Sequence, residues 1–466
     1  MSASLDELAR APGHARRLDR FRARIARWFG RLDDVTQGLV RAVVWERDRL
    51  RTALVIALGL RVLALVAQVF RACVSDGSDD ERFLYLEYVR SAAEFGLSSP
   101  AYLRAAVLWH LPLPYVLWST LLAPGEHALT LGRSIGVSIW LASAAVWVML
   151  WRMVLPRVSA ALALVFFCLA PTWHTVEIRA YPFMLLLVLT TTYLALVPLC
   201  TRRTLPGFLA AIALPLSLGL LVQVHLYAFI ACGVLAVAGV ALLAFRRARG
   251  WLYLGAVALA VAGAVPTLEN LFADRAAAWA VVWKNEQQSR IETARAKGEP
   301  MGDYVPGVLQ ISDFDTLALD VKKKAVGDAG IVLLGSLALV VWIRGGSSRC
   351  VAVLAVLAAL PGSANLFPHV ILGSWLARRG RRWRDWHPSW VLVLALGCLP
   401  GVLVYPIFFE NYLTGFRVLP FLLAADVLRE RRWDWPARLV TLHVLAYLSE
   451  LLRWLTGSPI SGPTPW

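Results

Sequence analysis

Apolar stretches of about 17–25 residues recur along this chain from Thr52 to Leu452, and each is long enough to cross a bilayer core as a helix. No other feature limits the possible folds so strongly. A soluble protein of 466 residues has no need of so many uninterrupted apolar runs, and here 58% of residues are hydrophobic and only 17% charged. The runs are continuous rather than alternating, which excludes a membrane β-barrel. The expected fold is all-α: a polytopic transmembrane helix bundle of about 11–13 helices, with outer-face loops and juxtamembrane helices.

The formal net charge of +16 would suggest nucleic acid in a soluble protein. Here the excess lies in short Arg-rich loops, the pattern that orients membrane proteins, so no nucleic-acid partner is expected. Five of the six cysteines, Cys168, Cys200, Cys232, Cys350 and Cys398, fall in or at the ends of apolar segments, and Cys73 stands alone. With no CxxC pair, neither a zinc site nor a disulfide framework is supported. The first fifty residues have no early apolar core, so a cleavable signal peptide is not expected.

Residues 1–50 read as a basic cytoplasmic arm. Phe21, Ile25, Trp28, Phe29 and Leu32 recur at roughly helical spacing, which suits a helix lying on anionic lipid. A solvated topogenic tail is the equal alternative. Residues 51–268 form the expected transmembrane core, with the first outer loop at 71–130. Thr52–Phe70 crosses outward. Ala105–Ala123, broken by Pro112 and Pro114, reads as interfacial. Then Leu131–Trp151, Val158–Ala170, Tyr181–Leu199, Pro206–Val222, Tyr227–Phe245 and Trp251–Leu268 alternate direction, and the inner loops are basic: Arg152 and Arg157, Arg202 and Arg203, then Arg246, Arg247 and Arg249. Residues 269–328 are a long hydrophilic outer-face loop containing every lysine of the chain. Residues 329–466 hold the C-terminal transmembrane helices. Within them Cys350–Leu376, with Pro361 and Pro368, reads as a short hairpin or re-entrant element.

Acid is scarce in this chain, yet Asp76, Asp79, Asp80 and Glu81 crowd into six positions directly after the first apolar run. Four further motifs follow at the expected outer ends of later helices. They are His110-Leu111-Pro112-Leu113-Pro114-Tyr115, Glu177-Ile178-Arg179-Ala180-Tyr181-Pro182, His225-Leu226-Tyr227 and Arg417-Val418-Leu419-Pro420.

This ordered set resembles the GT-C superfamily of membrane glycosyltransferases, and most of all the branch of protein O-mannosyltransferases and the aminoarabinose transferase of lipid A. That branch carries an Asp-Glu pair after its first helix, a His-Pro-Pro-Leu-like box, a Glu-x-Arg-x-Tyr loop and a late Arg-Tyr…Pro segment. Here Leu113 separates the two prolines of the box, and Val418 stands where the family has Tyr. The resemblance implies a GT-C-like fold in the cell membrane, a bacterial inner membrane, with the amino terminus cytoplasmic and the site on the outer face. It implies transfer of a sugar from a polyprenyl-phosphate carrier to a lipid, glycan or protein acceptor, with a first-loop carboxylate acting on the acceptor nucleophile. Asp80 aligns with the family Asp as the base, Glu81 is its paired neighbour, and Asp79 is the reserve. Glu177, Arg179, Tyr181, His110, His225, Tyr227 and Arg417 are the substrate- and phosphate-binding candidates. No cofactor is expected; two close carboxylates are also able to hold a divalent cation, but no metal is assigned.

The chemistry agrees independently. Sugar transfer needs a base for the acceptor proton, a contribution of roughly 10²–10⁴-fold. The departing phosphate gains charge, which favours Arg with its planar fork of donors. Each residue also has a plainer reading. Asp79 or Asp80 is able to cap a helix starting near Arg82, and Glu81 to favour its dipole. Glu177 and Arg179 suit a structural ion pair, the His and Tyr residues an interfacial belt, and Arg417 snorkelling. Arg61, mid-way along the first apolar run, must face the protein interior. The competing classes are a polytopic transporter or lipid flippase and a non-catalytic GT-C-like membrane protein.

Overall fold

The computed structural model describes residues 86–95, 113–122, 128–170, 176–200, 204–225, 228–244, 247–273, 367–379, 386–404 and 414–429, with further helical positions within 20–27, 55–67 and 436–444. Among the described residues every element is a helix. In chain order these are α1 (Leu86–Phe95), α2 (Leu113–Leu121), α3 (Ala128–Val154), α4 (Ala160–Leu169), α5 (Tyr181–Cys200), α6 (Thr204–Val224), α7 (Phe229–Ala244), α8 (Gly250–Ala273), α9 (Phe367–Arg379), α10 (Pro388–Val404), α11 (Thr414–Val418) and α12 (Pro420–Arg429). Ala128–Val154, Tyr181–Cys200 and Pro206–Val224 are long and apolar enough to cross a membrane. Ala160–Leu169, Phe229–Ala244, Gly250–Pro266 and Pro388–Gly397 are shorter apolar helices.

Local chemistry sets several boundaries. The Ser159 hydroxyl accepts from the Ala161 N–H at 3.2 Å and caps α4, and Pro171 follows its end. The stretch Val158–Ala170 reads in sequence as an outward crossing. Its helix has only ten residues, a rise of about 15 Å or half the hydrocarbon core, because prolines at 156 and 171 bracket it. Phe367–Arg379 runs three residues past Leu376, with Pro368 in the first turn, where its missing N–H costs nothing. The four described positions of the basic arm, 20, 23, 24 and 27, are helical, and Arg27 Nε donates to the Ala23 carbonyl at 3.3 Å. Arg61 is 1% exposed, as an intramembrane arginine should be.

The helices α4 to α7 and α10 are apolar on all sides, so periodicity does not say which face is covered. Small and polar residues decide it. One face of α3 reads Gly132, Gly136, Trp140, Trp147, Trp151. Over the half nearer Arg152, the tryptophans meet α4: Trp147 Nε1 donates to the Ala163 carbonyl at 2.7 Å, Trp140 lies 4.9 Å from Phe167, and Trp151 lies 5.8 Å from Phe166 between ring centres. Phe166 in turn contacts Phe421 at 5.6 Å, tying α12 into the same seam. Over the other half the glycines admit backbone instead.

The helix α5 runs through the middle, packed against α3, α6, α10 and α11. Thr191 and Ser217 share a hydrogen bond at 2.9 Å where α5 and α6 meet. Tyr253 donates its hydroxyl to the Ala195 carbonyl at 2.6 Å, and Arg249 Nη1 donates to the Pro198 carbonyl at 2.5 Å. These contacts stack down α5 toward one end of the bundle. At that end lie Arg152, Arg157, Arg247, Arg249, Arg378, Arg379 and Arg429, which makes it the arginine-rich end.

Candidate functional site

The opposite end carries the Glu177 motif. The Arg179 N–H donates to the Glu177 carbonyl at 2.7 Å, closing a three-residue turn. Ile178, at its centre, is fully buried against Gly132. With Ile178 turned inward, the side chains on either side pair: Arg179 Nε lies 2.8 Å from Glu177 Oε2. Both remain partly accessible, at 11% and 15% side-chain exposure. This is the pairing expected from residues two apart on a turn.

Two devices hold the turn. A Cβ at Gly136 would sit 2.4 Å from the Val176 carbonyl oxygen, so only glycine lets this backbone lie against α3. Trp118 of α2 donates Nε1 to the Arg179 carbonyl at 2.9 Å, and its ring meets Phe183 edge-on at 5.2 Å. Trp118 is fully buried. The same short helix packs on α1, with Tyr88 and Tyr115 edge-to-face at 5.2 Å. Thus α1, which begins five residues after Glu81, is joined through α2 to the Glu177 turn.

Helix rise gives the depth of the other candidates. Tyr181 lies ten residues above the Thr191–Ser217 bond and His225 eight residues above it, heights of about 15 and 12 Å. The two are therefore level, at the ends of neighbouring helices. Both are buried, Tyr181 at 2% exposure and His225 at 0%. The His225 carbonyl accepts from the Ala228 N–H at 2.9 Å, which turns the chain into α7. Arg417 is deeper. Its helix, α11, lies on α5 with the Cβ position of Gly415 2.8 Å from Val188, only three residues from Thr191. Arg417 is 9% exposed and sits inside the bundle, one to two turns below the Glu177 turn.

Asp79, Asp80, Glu81, His110 and Tyr227 lie outside the described residues, as do almost all of the 269–328 loop and residues 350–366 of the expected hairpin.

Two charged residues escaped the sequence reading. Arg133 is 7% exposed on α3, between the two glycines that receive the turn. Asp426 is 2% exposed in α12. It binds Arg379 Nε at 3.1 Å, Arg429 Nε at 2.9 Å and Trp375 Nε1 at 2.9 Å. Arg378 donates to the neighbouring Val427 carbonyl. The available signal was the same for both: an ionisable residue inside an apolar run. Asp426 works as a clamp at the arginine-rich end, whereas Arg133 stands beside the candidate site.

No protein-family model matches the chain. No curated protein matches it either. Among solved structures it is similar to the Archaeoglobus fulgidus oligosaccharyltransferase in its apo form, with a TM-score of 0.48 and 13% identity over 90% of this chain and 57% of that one. The chain thus spans little more than half the length of the solved protein.

Proposed function

We propose that this protein is a membrane glycosyltransferase that moves a sugar from a polyprenyl-phosphate carrier to an acceptor on the outer side, at the end of the bundle that bears the Glu177 turn. The observation that carries the proposal is the way that turn is held. Two glycines and a buried tryptophan fix a paired, partly accessible Glu177 and Arg179, and the helix that bears the tryptophan packs on α1, which begins five residues after the acidic segment. A purely structural ion pair does not need its backbone immobilised from two sides. Rigid support of charged groups is what transition-state stabilisation requires.

Glu81 and Asp80 stand five and six residues before α1 in the sequence, which supports assigning them to this end. In the proposed reaction the acceptor hydroxyl attacks the anomeric carbon as its proton passes to Asp80. The bond from that carbon to the phosphate oxygen breaks, and the phosphate leaves with the electron pair. Arg179, with Arg133 at its side and Arg417 deeper in the bundle, offsets the charge that develops on the phosphate. Glu177 orients the Arg179 guanidinium.

The test is sugar transfer by purified Asp80→Asn beside wild type, using prenyl-phosphate sugars as donors. The expected loss is about 10²-fold or more, for removal of a general base. Full activity in the variant removes Asp80 from the mechanism. A wild type inert with every lipid-linked donor, but able to move lipid or solute across vesicles, favours the transporter class instead.

A further inference from the structure

We propose that a cavity at the arginine-rich end, walled by Arg247, Arg249 and His387, is a binding site for the phosphate of an anionic phospholipid headgroup. It is separate from the Glu177 turn and independent of the chemistry proposed there. The cavity holds about 400 Å³ and is lined by Leu199, Leu242, Arg247, Ala248, Arg249, His387 and Pro388. It opens where α5 and α7 end and α8 and α10 begin. Among the described residues its lining has two arginines, one imidazole and no carboxylate.

Ordinary orienting arginines swing freely in the headgroup layer. These are held. Arg249 is anchored by its Nη1 on the Pro198 carbonyl, which commits one of five guanidinium donors. The turn that bears both arginines closes with the Arg247 N–H on the Leu242 carbonyl at 2.9 Å and the Gly250 N–H on the Arg247 carbonyl at 3.0 Å. Gly250 permits this: a Cβ there would fall 2.4 Å from the Gly239 carbonyl oxygen. On the facing wall, His387 Nδ1 is fixed by Ser389 Oγ at 2.8 Å. The anchored Arg249, the fixed turn that bears Arg247 and the seated imidazole opposite give the cavity a set shape.

Two observations select a lipid over a soluble anion. Leu199, Leu242 and Pro388 give the cavity an apolar part beside its arginines, against which the first acyl carbons would lie. Trp251, two residues from Arg249, is 67% exposed at the same level, the placement of an interfacial aromatic. Basic pockets between helices at this depth suit anionic headgroups.

The experiment is native mass spectrometry of the purified full-length protein, titrated with phosphatidylglycerol, with phosphatidylcholine as the zwitterionic comparison. We expect preferential retention of phosphatidylglycerol. Arg247→Gln and Arg249→Gln should each weaken it roughly five- to tenfold. Arg157→Gln, at the same end but outside the cavity, should leave it unchanged. Arg247 is the safer substitution, because Arg249 also supports the turn. If Arg157→Gln weakens binding as much as Arg247→Gln, there is only a diffuse basic face and the proposal fails. It also fails if glycerol 3-phosphate displaces the lipid at equal concentration, since the ligand is then a soluble phosphate.

Discussion

Substituting Gly136 with alanine tests whether α3 really carries the Glu177 turn. The added methyl would meet the Val176 carbonyl oxygen at 2.4 Å, its carbon at 2.7 Å and its Cα at 2.8 Å. All three are backbone atoms, so no rotamer change relieves the clash, and either the turn lifts or α3 shifts. Overpacking of this kind costs about 1–3 kcal/mol. Alanine returns about 0.8–1 kcal/mol through helix propensity, leaving a net loss of up to about 2 kcal/mol. The proper comparison is Gly255→Ala in α8, where nothing lies within 4 Å of the new atom. That variant gains the propensity term alone, so the two should differ by about 1–3 kcal/mol. Gly132→Ala should fall between them, because its methyl meets the Ile178 side chain at 2.5 Å rather than backbone. The assay is thermal unfolding of the three purified variants in one detergent, followed by sugar transfer at a temperature where all are folded. Transfer should fall in Gly136→Ala even when it is folded, because Glu177 and Arg179 move with Val176. Equal stability of Gly136→Ala and Gly255→Ala would refute the reasoning, because the turn would then not rest on α3.

Three further outcomes follow from the same contacts. Asp426→Ala leaves Arg379 and Arg429 facing a site without a carboxylate and should cost about 3 kcal/mol in thermal unfolding, whereas Arg429→Gln, at a residue 40% exposed, should cost under about 1 kcal/mol. Trp118→Phe keeps the contact with Phe183 but loses the donor to the Arg179 carbonyl; a loss of about 1 kcal/mol in stability is expected, with transfer reduced more than stability alone explains. Arg179→Lys preserves the charge but not the fork, so on the proposed role transfer should drop by about 10²-fold; an unchanged rate in that variant would leave Arg179 a structural partner of Glu177.

The turn itself was legible as a motif, since residues two apart can share a side, but not its support. Nothing in Gly-Arg-Ser-Ile-Gly marks residues 132–136 as a cradle until Val176 and Ile178 are seen lying on it. Arg417 illustrates the same limit. Its place after a loop does not reveal that the close approach of Gly415 to Val188 packs its helix on α5.

The helical, membrane-crossing class of the chain follows from its sequence alone, because backbone polar groups in hydrocarbon must be satisfied within each segment. The order of the apolar runs and the basic character of alternate loops follow in the same way. The covered faces do not. In helices apolar all round, burial depends on which small or polar side chain finds a partner on another helix, and those partners lie far apart in sequence: Gly136 and Val176, Trp118 and Arg179, Thr191 and Ser217, Trp375 and Asp426. Only tertiary structure brings them together, and with them the Glu177–Arg179 pair at one end of the bundle and the arginine-walled cavity at the other.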